Sequence, residues 1–308
     1  MKNRSGGDWK AILAALFCHI FWGFSFLASR TALNSAQVFV LLSHRFLLSF
    51  LLLNLIPGQL KRLRAQKPGK RQLAGLVLLG LLQPVLYFFG EQFGLLHSTT
   101  IFSGVMIAMI PVASTLAAAP ILKEKPSALQ LLFALLSVGG VIGVGLMSKN
   151  SGALEPIGVA ALILAVLSAA GYTLLARSLS KSATPFSRTY AMTGVGAAVF
   201  TVLALIRCRG DLGAYLAPFS GTPYLLSVLY LSLFCSALCF FLSNYAITRL
   251  SVARETVFSN LTTAVSVFAG AVFLHEPFSA IGVLCCLMIL VGIYGVQKAA
   301  PERKARSK

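Results

Sequence analysis

Apolar runs of about 20 residues recur along the whole chain, and they leave few folds open. A run of that length is what a helix needs to cross a bilayer. Ten can be marked, at roughly 11–29, 36–56, 72–91, 99–120, 128–147, 155–176, 188–206, 223–243, 252–274 and 279–297. One soluble core could not absorb so many. Charged residues make up only 11% of the chain, against about 25% in a soluble domain. In lipid every backbone polar group must be satisfied within the chain, so such runs become helices. The connectors carry the breakers and the charge: Pro57-Gly58 through Arg71, Lys123 to Pro126, Lys149 through Pro156, and Arg207 to Pro223. Lys2, Arg4 and Lys10 precede the first run as in a signal peptide, but the run has no small-x-small cleavage site. It reads as a retained span.

The chain also repeats itself. Shifted by 152 residues, Gln92 to Val144 lies over Asn244 to Val296. Ser114 falls on Ser266, Ala117 on Ala269, Leu122 on Leu274, Glu124 on Glu276, and Gly140 and Gly143 on Gly292 and Gly295. One match would be chance; many at one offset, with an acid and two glycines among them, indicate duplication. A fainter echo at a shift of 148 sets Trp22-Gly23-Phe24-Ser25 over Ala170-Gly171-Tyr172-Thr173.

The net charge of +18 is not a nucleic-acid signature, because the basic residues sit in short connectors and not in a patch with aromatics. They read as topology signals. With the N-terminus inside, 21 of the 26 Lys and Arg fall on the cytoplasmic side and 4 outside, with Arg45 in span two. Both termini are therefore expected in the cytoplasm. Five spans per copy is an odd number, so the second copy enters the membrane upside down. The expected fold is an all-α integral membrane protein, ten transmembrane helices as two inverted five-helix repeats. The repeats cover 10–147 and 155–297, and 298–308 is a basic cytoplasmic tail. Inverted repeats place a substrate site near the midplane, at their interface.

The chain resembles the drug/metabolite transporter superfamily, in particular its ten-span EamA-type members. The carriers are Phe21-Trp22-Gly23 with Arg30, His44-Arg45-Phe46, Gly94-Leu95-Leu96 followed by Pro111 and Glu124, and Tyr245-Ala246-Ile247 followed by Glu276-Pro277. The glycine-rich ends 139–143 and 292–295 complete the pattern. The resemblance implies a cytoplasmic-membrane carrier, often an exporter of amino acids or other small metabolites. It also implies a cavity lined by spans one, three, four, six, eight and nine. One departure stands out: members usually carry a proline in span nine matching Pro111, and here that position is Thr263.

Intramembrane ionisable residues are functional candidates by default. Glu91, beside Gln92 at the outer end of span three, is the foremost, and its boundary position would let it reach headgroup water. The repeat partners of Glu91 and Gln92 are Ser243 and Asn244. His19 lies one helical turn before Trp22, and histidine titrates near neutral pH. Either ring could equally be a packed, hydrogen-bonded one. Trp22, Tyr87, Glu91, Tyr172, Asn244 and Asn260 are the expected substrate-binding set, with Glu91 and His19 as expected proton-coupling residues. Arg45 with His44 could pair with Glu91 or an anionic substrate, or Arg45 could cap a helix end. Pro84 and Pro111 interrupt spans three and four and free the carbonyls of Gly80 and Ile107. Glu124 and Glu276 are expected to close loops, not to touch substrate. Gly139 and Gly143 form a GxxxG face suited to tight helix packing.

No HExxH, Gly-x-Ser-x-Gly, nucleotide-binding or metal-spaced motif is present. The six cysteines fit no disulfide framework and read as small core residues. The expected function is a secondary transporter, an exporter of a small metabolite such as an amino acid, working by alternating access and using no cofactor or metal. Its partners would be a small solute and the lipid bilayer, with the chain a monomer or weak homodimer. A passive pore is the alternative, and an intramembrane enzyme on lipid head groups or a scaffold stands further off.

Overall fold

The computed structural model describes residues 5–65, 68–122, 127–150, 154–249, 252–276 and 279–298. Among these there are helices and turns and no strand. The helices are α1 Ser5–Leu33, α2 Val38–Asn54, α3 Pro57–Ala65, α4 Lys70–Gly80, α5 Tyr87–Leu96, α6 Thr100–Ile107, α7 Ile110–Leu122 and α8 Ala128–Asn150. They continue with α9 Pro156–Leu179, α10 Pro185–Arg207, α11 Leu212–Leu216, α12 Thr222–Leu229, α13 Cys239–Arg249, α14 Val252–Phe273 and α15 Ala280–Lys298. π-helical turns join α4 to α5 and α12 to α13.

Among the described residues, six helical stretches are long and apolar enough to cross a membrane, and α2 with the start of α3 forms a seventh that bends by 89°. Three further apolar helices are shorter: Thr100–Ser114, Leu261–Phe273 and Ala280–Val296. Helix α8 shows why these belong in lipid. Leu132, Leu135, Ile142 and Leu146 point outward, while Ala134, Val141 and Val144 are buried. A helix apolar on both faces is stable only inside a protein or a bilayer.

The connectors hold more structure than the sequence suggests. Residues 57–65 fold as α3, and 212–220 form α11 and a 3₁₀ turn. Asp211 starts α11 by accepting the Gly213 amide at 2.8 Å. This places Tyr215 to hydrogen-bond Ser43 at 2.7 Å.

Helix pairing has a regular plan. Helix α1 packs on α13 and α14, as α9 packs on α5 and α7; α2 packs on α10, and α8 on α15. A Cβ on Gly140 would stand 2.6 Å from the Cys285 carbonyl and from the Ile289 side chain. One on Gly292 would stand 2.6 Å from the Phe133 carbonyl and 2.8 Å from the Ser137 amide. The offset of 152 carries Phe133 and Ser137 onto Cys285 and Ile289, so the contact is reciprocal. The expected Gly139–Gly143 face is corrected: Gly139 meets only the tip of Met288 at 3.7 Å, and Gly140 with Gly143 makes the close approach. Residues three apart share a helix face as well as residues four apart. All six cysteines are free, four of them buried.

Candidate functional site

Two proline breaks shape the centre of the bundle. A proline removes an N–H and disfavours helical geometry in the residue before it. Gln83, before Pro84, accordingly leaves the helix with φ −142° and ψ 112°. The hydroxyl of Ser168 on α9 donates to the Leu82 carbonyl at 2.7 Å, so the satisfied carbonyl is two residues beyond the expected Gly80. The second break separates α6 from α7 just before Pro111. Gln83, Ile107, Ala108, Ile110 and Pro111 all line one cavity of about 140 Å³.

Its remaining wall comes from α1, α5, α9, α13 and α14, with one residue each from α2 and α7. Trp22 and Tyr172 supply aromatic surface from α1 and α9. The Trp22 indole N–H donates to the Cys235 carbonyl at 3.0 Å, which fixes the ring as a wall. Its edge meets His19 at 5.4 Å and Phe240 at 6.1 Å between centroids. His19 Nδ1 lies 2.9 Å from Thr262 Oγ1 and ties α1 to α14. Glu91 accepts from the Tyr87 hydroxyl at 2.7 Å and from the Gln92 amide at 2.8 Å.

Of the residues expected at the site, Trp22, Tyr87, Glu91, Tyr172 and His19 all line this cavity. The position given to Glu91 is corrected. Helix α5 runs on to Leu96, so the carboxyl sits more than a turn inside the helix end, 4% exposed. Asn244 is also corrected: it is fully buried off the cavity, its side-chain amide nitrogen donates to Thr189 Oγ1 at 3.1 Å, and its backbone carbonyl accepts from Arg188. Adjacent helical residues point about 100° apart. Glu91 and its repeat partner Ser243 face the cavity, and Gln92 and Asn244 do not. The side chain of Asn260 lies outside the described residues, as does Glu124. Gln83, Ser114, Thr262 and Thr263 line the cavity without having been expected there, and Arg45 and Ser243, already singled out in the sequence, line it as well. Their signal was available in part, since Thr263 occupies the position matching Pro111. His44 does not join Arg45; it turns to the Tyr224 hydroxyl at 2.7 Å.

Charged groups gather on the turn between α5 and α6. Arg30 donates to the Leu95 carbonyl at 2.6 Å. Glu276 accepts the amides of Thr100 and Ile101 at 2.7 and 2.9 Å, satisfying two of the free donors that start α6. His97 pairs with Glu155 at 3.0 Å. Behind this turn α6 and α14 touch: a Cβ on Gly270 would stand 2.8 Å from Ile101. The loop-closing role expected of Glu276 has this physical form.

The EamA-like transporter family model matches residues 9–146 and again residues 156–297. The chain belongs to the EamA-like transporter family. Both EamA copies contribute to the cavity: His19 to Ser114 come from the first, and Ala169 to Thr263 from the second. The chain is 32% identical over 292 residues to a Bacillus subtilis (strain 168) protein described as the uncharacterized transporter YcxC, covering 92% of each. It is 25% identical over 219 residues to the uncharacterized transporter YetK of the same organism, covering 68% of this chain and 64% of that one. A solved structure described only as a crystal structure of a protein matches with a TM-score of 0.65 at 17% identity, over 94% of this chain and 96% of its own. That likeness concerns the fold alone. This EamA protein is a multi-pass membrane transporter. Among its described residues no cluster of His, Cys, Asp or Glu could hold a metal ion.

Proposed function

We propose that this EamA protein is a secondary transporter that exports a small metabolite, such as an amino acid, by alternating access between two inverted repeats. The observation that carries the reading is the cavity itself: a small chamber walled by helices of both EamA copies, mixing aromatic surface with Glu91, Arg45 and hydroxyls. A cavity of about 140 Å³ suits a small solute, being close to the ~150 Å³ engineered cavity that holds benzene. The reciprocal contact of Gly140 and Gly292 supports an inverted arrangement, since Phe133 and Ser137, early in α8, meet Gly292, late in α15, while Gly140 meets the earlier Cys285 and Ile289, so the equivalent helices run antiparallel. With ten spans in the cytoplasmic membrane, the Lys and Arg count supports both termini on the cytoplasmic side. On that orientation the clamp of Arg30, Glu276 and Glu155 lies outside, and this conformer is the outward-closed one. Rocking the repeats would release the clamp and open the opposite way.

Counterflow into proteoliposomes with a panel of radiolabelled amino acids tests this. Saturable uptake that rises when unlabelled solute is loaded inside is expected. Flux linear in concentration, with no competition between solutes, would identify a pore instead.

A further inference from the structure

Arg45 and Arg188 are both buried arginines, 1% and 0% exposed. At Arg188 the protein holds both terminal nitrogens and leaves Nε without a partner; at Arg45 it does the reverse. Arg188 gives one terminal nitrogen to the Ala176 carbonyl at 3.2 Å and the other to the Asn244 carbonyl at 3.0 Å, away from the cavity. Arg45 lines the cavity. Its Nε donates to Ser236 Oγ at 2.8 Å, and its guanidinium lies over the Phe88 ring at 4.2 Å. Neither terminal nitrogen of Arg45 has a protein partner. Glu91, the acid on the same wall, makes no hydrogen bond to either nitrogen; its oxygens accept from Tyr87 and Gln92.

We propose that Arg45 is the anion receptor of the cavity and takes the carboxylate of a small monoanionic or zwitterionic solute. A guanidinium carries five N–H donors, and only the Nε donor of Arg45 is used. The free edge between its two terminal nitrogens matches the two oxygens of a carboxylate. Phe88 covers one face of the guanidinium plane, so the ligand approaches edge-on. A buried cation with unfilled donors is costly, and a bound anion removes that cost. Glu91 on the same wall disfavours a dianion and offers a place for an ammonium group. Trp22, Phe26, Tyr172 and Phe240 receive the apolar body. Ser114 Oγ and Thr263 Oγ1, buried and unpartnered on the same wall, are further donors for the solute. The inference deepens the transport reading and rests on it for the statement that the bound solute is the cargo.

The test is equilibrium binding to the purified full chain in detergent with three probes of one skeleton: L-leucine, 4-methylpentanoate, which lacks the amine, and 3-methylbutylamine, which lacks the carboxylate. Leucine and the acid are expected to bind and the amine to bind at least tenfold more weakly. Arg45→Gln is expected to weaken both acids at least tenfold. Where that variant does not fold, Arg45→Lys carries the test, with carboxylate binding reduced several-fold because two-point contact is lost. Failure of both acids to bind the native protein, equal or tighter binding of the amine, or undiminished carboxylate binding in a folded variant overturns the proposal. The same preparations in proteoliposomes separate the two readings. Counterflow that ignores Arg45 removes the receptor and leaves the transporter. Arg45-dependent binding without counterflow keeps the receptor and removes the transporter.

Discussion

At the residue scale, Glu91 is the acid on which pH sensitivity would rest. It is buried in α5, lines the cavity, and is held by Tyr87 and Gln92. His19 stands on the same wall, hydrogen-bonded to Thr262. If proton movement drives transport, these are the side chains that carry it. Replacing Glu91 with Gln and His19 with Asn keeps approximate shape and polarity and removes titration near neutrality. The double variant is expected to take up solute at a rate that no longer changes between about pH 5.5 and 8; an unchanged pH profile would remove both from the mechanism. Residue type pointed to these two in the sequence, since ionisable groups in apolar runs are few. Asn244 misled because composition carries no helix phase. It sits one step from Ser243, and that step turned its side chain toward Thr189 and Met192.

At the scale of elements, the interface of α8 and α15 is the tightest test of packing. Alanine at Gly140 or at Gly292 brings a Cβ to within 2.6 Å of a backbone carbonyl. Backbone on both sides cannot yield as a side-chain tip can. Each substitution is expected to destabilise by about 1–3 kcal/mol. Gly139→Ala, which meets only Met288 at 3.7 Å, is expected to change stability by about 0.5 kcal/mol or less. Thermal unfolding in detergent distinguishes the three, and equal melting temperatures would refute the assigned interface. The spans themselves were legible, because length and apolarity decide them. Their ends were less so: nothing in Gln92 to Leu96 stops a helix, and α5 continues through them. The helices α3 and α11 were hidden inside connectors whose Pro and Gly read as breakers.

At the scale of the whole molecule, the repeat gave the plan and the pairing of helices follows it. Contacts between distant residues, such as Glu276 with Thr100 and Arg30 with Leu95, were not legible, since no local pattern announces them. The account makes the two copies face opposite ways, so that one cavity is shared by halves that can exchange roles. Topology reporters inserted after Lys125 and after Pro277, at equivalent points of the two copies, test this directly. The first is expected in the cytoplasm and the second outside. Both reporters on one side of the membrane would contradict the account.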